Sequence, residues 1–133
     1  MRFPTSLLLG LALMLTPAYA QDQSIEDVIS SQIDAFGAQD TDKAFSYASP
    51  NIQNLFGTPE NFGMMVQNGY PMVQNPAELE YVDQITNGSY TLQRLRIQDQ
   101  SGKDHWFAYE MIVIDGKWRI NGVYRIEPIG LSA

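Results

Sequence analysis

Cysteine is absent from this chain, and histidine occurs once, at His105. The first absence excludes disulfide staples, thiol nucleophiles and lipid attachment through a lipoprotein-type cysteine. The second excludes metal centres built on several histidines, and no D-x-D-x-D-G spacing offers a calcium loop in their place. A G-x-S-x-G elbow, a Walker loop and a dinucleotide fingerprint are also missing, so nothing calls for a cofactor. Basic residues are few: 8 against 15 acidic ones, for a formal charge of −7. Such a surface repels phosphate backbones and anionic lipid, which argues against nucleic-acid and membrane-surface partners.

The first twenty residues read as a targeting segment. Arg2 gives a short basic start, Leu7 to Leu15 is an apolar run, and Ala18-Tyr19-Ala20 is a small-x-small cleavage site after Pro17. The run falls short of the roughly 20 residues of a bilayer-spanning helix. The expectation is a cleavable signal peptide over 1–20, cut before Gln21, and one domain over 21–133 that is exported to the periplasm or secreted. Loss of Arg2 takes the formal charge from −7 to −8. Without disulfides, this domain must be held by packing alone.

The N-terminal half is punctuated for helices. Ser24, with Asp27 three residues on, caps a first helix whose Ile25, Val28, Ile29, Ile33 and Phe36 share one face. Glu26, Ser30, Gln32 and Asp34 are expected to face elsewhere, and the helix to end near Gln39. Asp40-Thr41-Asp42 caps a second, short helix through Ala44, Phe45 and Tyr47. Ser49-Pro50 and Thr58-Pro59 each combine a cap with a proline at the first helical position, and Gly57 and Asn68-Gly69 are the matching stops. Residues 70 to 76 are expected to be extended, because Pro71 and Pro76 bias their predecessors away from helix.

The C-terminal half reads as strands. Leu79, Tyr81 and Ile85 begin an alternating run, Asn87-Gly88 marks a hairpin turn, and Tyr90 to Ile97 forms the next strand. Its apolar phase slips between Leu92 and Leu95, which predicts a β-bulge near Gln93 or Arg94. Asp104 to Glu127 reads as a second hairpin about Asp115-Gly116. Its first arm, Trp106 to Ile114, is apolar on both faces, which predicts a central strand covered on both sides. Gly122 reads as a bulge or a bend. The fold class is therefore α+β: N-terminal helices packed on a four-stranded antiparallel meander.

Residues 35 to 73, AFGAQDTDKAFSYASPNIQNLFGTPENFGMMVQNGYPMV, resemble domain-of-unknown-function family 4864. The most specific parts are Ala48-Ser49-Pro50, Phe56-Gly57, Met65-Val66 and Gly69-Tyr70-Pro71. The run GKWRINGVYRIE is similar to the closing strand of the cone-shaped superfamily named after nuclear transport factor two. The resemblance implies a curved sheet wrapped round helices, with a pocket at the open end. It implies no activity, since that superfamily holds enzymes, binding modules and transport factors alike. Its enzymes place an Asp, a Tyr or a His-Asp pair inside the cone, and no residue here matches those motifs.

Four residues stand out as ligand-binding candidates. Glu110 shares a strand face with Trp106, Ala108, Ile112 and Ile114; if that face lines the core, its carboxylate is desolvated, or else paired with Arg94, Arg96 or Arg119. Tyr70, held at a bend between Gly69 and Pro71, and Tyr109 and Tyr47 combine a large apolar ring with a polar tip, which suits a pocket wall as well as ordinary packing. His105 has no visible orienting partner and reads as surface. Asn87-Gly88-Ser89 formally matches a glycosylation acceptor and reads as a turn. Three readings of function stay open: a non-catalytic module binding a small apolar molecule or a protein, an isomerase or dehydratase using Glu110 and a tyrosine, and a homodimer built through the sheet face. No catalytic residue and no metal ligand is assigned.

Overall fold

The computed structural model describes residues 23–130. The expected signal peptide and its cleavage site lie outside the described residues. Four helices come first: α1 (Ile25–Gly37), α2 (Thr41–Ser46), α3 (Pro50–Phe56) and α4 (Pro59–Gly69). Strands β1 (Glu78–Asn87), β2 (Tyr90–Gln98), β3 (Asp104–Ile114) and β4 (Lys117–Arg125) follow and pair antiparallel in the order β1-β2-β3-β4. This is the α+β meander that the helix caps and turn pairs require. Among the described residues, no helix is long and apolar enough to cross a membrane.

Each helix starts where its cap stands. The side chains of Ser24, Asp40, Ser49 and Thr58 accept hydrogen bonds from the backbone N–H of Asp27, Lys43, Ile52 and Asn61. Gly63 lets α4 lie close against α2, since a Cβ there would come 2.8 Å from Cγ2 of Thr41. The core joins Val28, Ile29, Ile33 and Phe36 of α1 to Leu95 and Ile97 of β2 and to Phe107, Tyr109 and Met111 of β3. Phe62 of α4 stacks with Phe36, Phe45 and Phe56 at centroid distances of 5.3 to 5.8 Å.

The structure corrects several expectations. Residues 70 to 76 are not extended throughout: Pro71–Val73 forms a 3-10 turn that drives Met72 and Val73 into the core. Tyr70, which precedes Pro71, does leave the helical region, with φ −138° and ψ 52°. The first bulge lies in β1, between Tyr81 and Asp83, and β2 is regular. Thr91 and Gln93 point inward on β2 as satisfied polar groups: Thr91 Oγ1 bonds Thr86 Oγ1, and Gln93 accepts from Gln84 and donates to the Asp83 and Arg94 carbonyls. The apparent slip of apolar phase came from treating these two as outward. Ile85, beyond the bulge, faces away from the core and is 43% exposed. The first hairpin turns at Gly88 and Ser89, because Asn87 pairs with Tyr90 and Gly88 takes φ 66°.

In β3, the core face carries Phe107, Tyr109 and Met111. Trp106, Ala108, Glu110, Ile112 and Ile114 occupy the other face, which the helices do not cover. The strand is central, as expected, but helices lie on one side only. The second hairpin turns at Asp115 and Gly116, with φ of 52° and 79°, as its sequence requires. In β4 the register shifts between Ile120 and Gly122, leaving Asn121 as an extra residue beside the expected glycine.

The helical layer is tied to the sheet at one point by backbone bonds. Ile120 N–H donates to Tyr47 O at 2.9 Å, and Ser49 N–H donates to Ile120 O at 2.8 Å, so Ala48 forms a short parallel bridge on the free edge of β4. Fully buried Ser49 also donates from its hydroxyl to Asn121 Oδ1 at 2.6 Å. Replacing Ser49 by Ala removes a helix cap and strands the Asn121 carbonyl, so it should cost about 2 kcal/mol. Urea unfolding followed by tryptophan fluorescence reads this, and a loss under about 0.5 kcal/mol, the usual size for an unremarkable surface change, would show the junction to be energetically idle.

Candidate functional site

An apolar hollow lies where α3 parts from β4. Once Ser49 has capped α3, the chain turns away from the sheet edge. Ile52, Leu55 and Phe56 then form one wall, Ile120 to Tyr124 the other, and Phe36, Phe62 and Val66 the base. The volume is about 300 Å³, at the lower end for a small-molecule site. Among the described residues, no side chain with a formal charge lines it; its polar groups are Gln32, Tyr70, Tyr109, Asn121 and Tyr124.

Two of the four expected site residues meet here. Tyr70 and Tyr109 both line the hollow, whereas Tyr47 lines a separate groove with Val28, Lys43 and Trp118. Glu110 is not in the lining. It sits half-buried on the opposite sheet face, accepting from Asn121 Nδ2 at 2.8 Å and from the Tyr124 hydroxyl at 3.1 Å. The expected arginine partners are engaged elsewhere. Arg94 makes a two-pronged bond to Asp83, Arg96 reaches Glu78, Glu80 and Asp104, and Arg119 donates to the Trp118 carbonyl. Glu110 is therefore neither on the core face nor paired with a cation.

The bulge at Asn121 connects the two faces. Ser49, Asn121, Glu110 and Tyr124 form a continuous chain of hydrogen bonds around the edge of β4. Tyr124 can fold back on its own strand because Gly122 has no side chain, a Cβ there falling 2.7 Å from the Tyr124 hydroxyl. Glu110 raises the Tyr124 pKa, chiefly by accepting its proton in a hydrogen bond.

Gln32 was misplaced by the sequence pattern, and the correct signal was present: it stands seven residues after Ile25 and four after Val28, on the apolar face. It is 4% exposed, and its Nε2 donates to Ala44 O at 3.1 Å. At the base of the opposite wall, Tyr109 is 2% exposed. Burial pushes its pKa up, with the Tyr81 and Tyr70 phenols as minor contributors, and no group among the described residues hydrogen-bonds its hydroxyl. Tyr81 contrasts with it, its hydroxyl bonded to Ser30 Oγ and the Glu26 carbonyl. Tyr70 is held in the wall by Arg125, whose guanidinium donates to Gly69 O at 2.6 Å and lies 4.9 Å from the Tyr70 ring centroid.

His105 does have a partner. In the β2–β3 connection, Asp99 Oδ2 lies 2.8 Å from His105 Nε2, while Asp99 Oδ1 accepts from the Ser101 and Lys103 backbone and from the Ser101 hydroxyl. The His105 bond, then the Ser101 and Lys103 bonds, hold the Asp99 carboxyl well below the usual carboxylate range. A depressed folded pKa contributes stability that is complete above the unfolded value, about 4, and is lost as pH falls through the folded one. Asp99→Asn should therefore narrow the gap in Tm between pH 5 and pH 2 relative to the parent chain. Equal gaps in both proteins would show that the turn carries no such linkage. Among the described residues, no cluster of histidine and carboxylate groups could hold a metal ion.

Comparison with known proteins agrees on the architecture. The chain is similar to a SEC-C motif-containing protein of Rhodopseudomonas palustris, with 17% identity, a TM-score of 0.59, and coverage of 78% of this chain and 80% of that one. It is similar to an NTF2-like protein of Campylobacter jejuni, described as a transpeptidase, with 12% identity, a TM-score of 0.52, and coverage of 74% and 98%. An NTF-2 like protein of unknown function from Burkholderia xenovorans shows 16% identity over 80% and 85% of the two chains, with a TM-score of 0.49. At such identities the likeness concerns the fold alone. No protein with a curated description matches the sequence. The family described as Domain of unknown function (DUF4864) matches residues 18–132, and with an NTF2-like fold the chain belongs to that family.

Proposed function

We propose that this domain is a non-catalytic module that binds a small, neutral, apolar molecule in the hollow between α3, α4 and β4. One observation carries this reading: a cavity of about 300 Å³ whose lining bears no formal charge. Burying an ion there would leave it without a counter-charge, at a cost of several kcal/mol. Burying apolar surface is favourable at about 25 cal/mol per Å². A reading as an isomerase or dehydratase loses its motive, because the carboxylate it requires lies outside the cavity.

Toluene is a suitable probe, since it is apolar, neutral and smaller than the cavity. Its titration should give saturable methyl NMR shifts confined to the lining residues, Ile52, Leu55, Val66, Val73, Ile120 and Val123 among them. Ala48→Leu, which adds bulk to the wall, should weaken that binding at least tenfold. Toluene causing no shifts up to its solubility limit would dispose of the ligand reading.

We further propose that the domain works outside the cytoplasm. The motive is the basic, apolar and small-x-small succession of Arg2, Leu7 to Leu15 and Ala18-Tyr19-Ala20. Expression of the full chain in a Gram-negative host should yield a periplasmic or secreted product that begins at Gln21 on N-terminal sequencing. A cytoplasmic product beginning at residue 1 would reject this address.

A further inference from the structure

We infer that the ligand carries a hydrogen-bond-accepting oxygen, of carbonyl type, that takes the proton of the Tyr109 hydroxyl. The inference rests on the cavity reading above and narrows it to a class: small, neutral, apolar molecules with an uncharged acceptor.

Among the described residues, the buried polar side chains have at least one hydrogen-bond partner, with the exception of Tyr109 in the cavity wall; Gln32 beside it is held through its Nε2 and leaves its Oε1 without one. Gln93, Thr91 and Ser49 are each hydrogen-bonded to the protein, and Gln32 commits its amide N–H to Ala44. Tyr109 lies on the central strand, lines the cavity and is almost wholly buried, yet nothing among the described residues bonds its hydroxyl. Leaving a buried hydroxyl without a partner costs free energy, and phenylalanine would fill the same space without that cost. The site therefore places one permanent donor in an apolar wall, because a phenol shielded from water and surrounded by no cation keeps its proton. A donor so placed discriminates between shapes that match in everything except the acceptor.

The volume also sets a scale for the size of the molecule the hollow covers. At about 30 Å³ for each water-sized unit, the space takes roughly ten non-hydrogen atoms. That is the size of one substituted ring or a short branched chain. A carboxylate of the same size is excluded, for no cation lines the wall and the protein carries a net charge of −7.

Acetophenone and α-methylstyrene test this, since they share shape and atom count and differ by C=O against C=CH2. The full chain should bind acetophenone about three- to tenfold more tightly by calorimetry, the range of one neutral hydrogen bond. The carbonyl stretch of bound acetophenone should move to lower frequency. Tyr109→Phe should fold with an unchanged or higher Tm, bind both probes alike and abolish the infrared shift. Tyr70→Phe and Tyr124→Phe should keep the preference, which separates the Tyr109 hydroxyl from the other two phenols in the wall. Benzoate should not bind. Equal affinities of the parent chain for the two probes, or a preference that survives Tyr109→Phe, would overturn the inference and leave the apolar cavity standing. Failure of both probes to bind would overturn the inference together with the cavity reading on which it rests.

Discussion

The two backbone hydrogen bonds between Ile120 and the segment Tyr47 to Ser49 decide how the helical half meets the sheet. β4 is an edge strand, and an edge leaves N–H and C=O groups open to any extended chain. Ala48 occupies that edge for a single residue and ends there, because Ser49 is committed as the cap of α3. The chain must then leave the sheet, and the cavity is the space between the departing helix and the strand. A longer bridge would have closed the edge and filled this space with backbone. The bulge at Asn121 falls directly after the bridge, so that the side chain nearest the departure reaches both Ser49 and Glu110. The same few residues thus fix the helix start, the strand irregularity and one wall of the hollow.

Polar burial divides the interior into two kinds of region. Along β2, buried Gln93 and Thr91 bond the exposed Gln84 and Thr86 of β1 and the bulged backbone at Asp83, so this end of the sheet holds its shape by specific bonds. Farther along, Leu95, Ile97 and Phe107 build a core in which shape alone counts. Tyr109 lies at the boundary, opposite Gln93 on one side and Val123 on the other. Its ring belongs to the packed core, at 88° to the Phe107 ring, while its hydroxyl has no share in the network beside it. That contrast makes the cavity wall chemically distinct from the remainder of the interior.

Much of this fold could be read from residue order. Caps at Ser24, Asp40, Ser49 and Thr58 mark their helices because each serves backbone donors that nothing else can reach, a local requirement visible locally. Asp115-Gly116 fixes its hairpin for a similar reason: both residues adopt positive φ. The inward face of β3 was not legible, since Trp106, Ile112 and Ile114 argue for one side as strongly as Phe107, Tyr109 and Met111 do for the other. Only the position of the helices decides between them. The placement of Glu110 failed with that choice, and so did its expected arginine: Arg94 and Arg96 are held by acids of β1 and β3, and Arg119 by the Trp118 carbonyl. The Asp99–His105 contact spans a five-residue connection whose geometry depends on three hydrogen bonds to one carboxylate. Gln32 is a different case, for its spacing placed it on the buried face and only its polarity suggested otherwise.

The distribution of charge explains why an acidic protein can hold an uncharged cavity. Arg96 alone engages three carboxylates, and Arg94 engages a fourth, so the cations of β2 are spent on the outer sheet face, among the acids of β1 and β3. Such exposed pairs add little to stability singly, but they keep guanidinium groups away from the interior. Arg125, which packs on the Tyr70 ring of the wall, is turned to the end of α4 and to the faces of Tyr70 and Phe107. With its cations held outside and its carboxylates solvated or paired, the interior presents only ring edges, methyl groups and a few uncharged polar atoms. Selectivity in such a space must come from shape and from the direction of single hydrogen bonds.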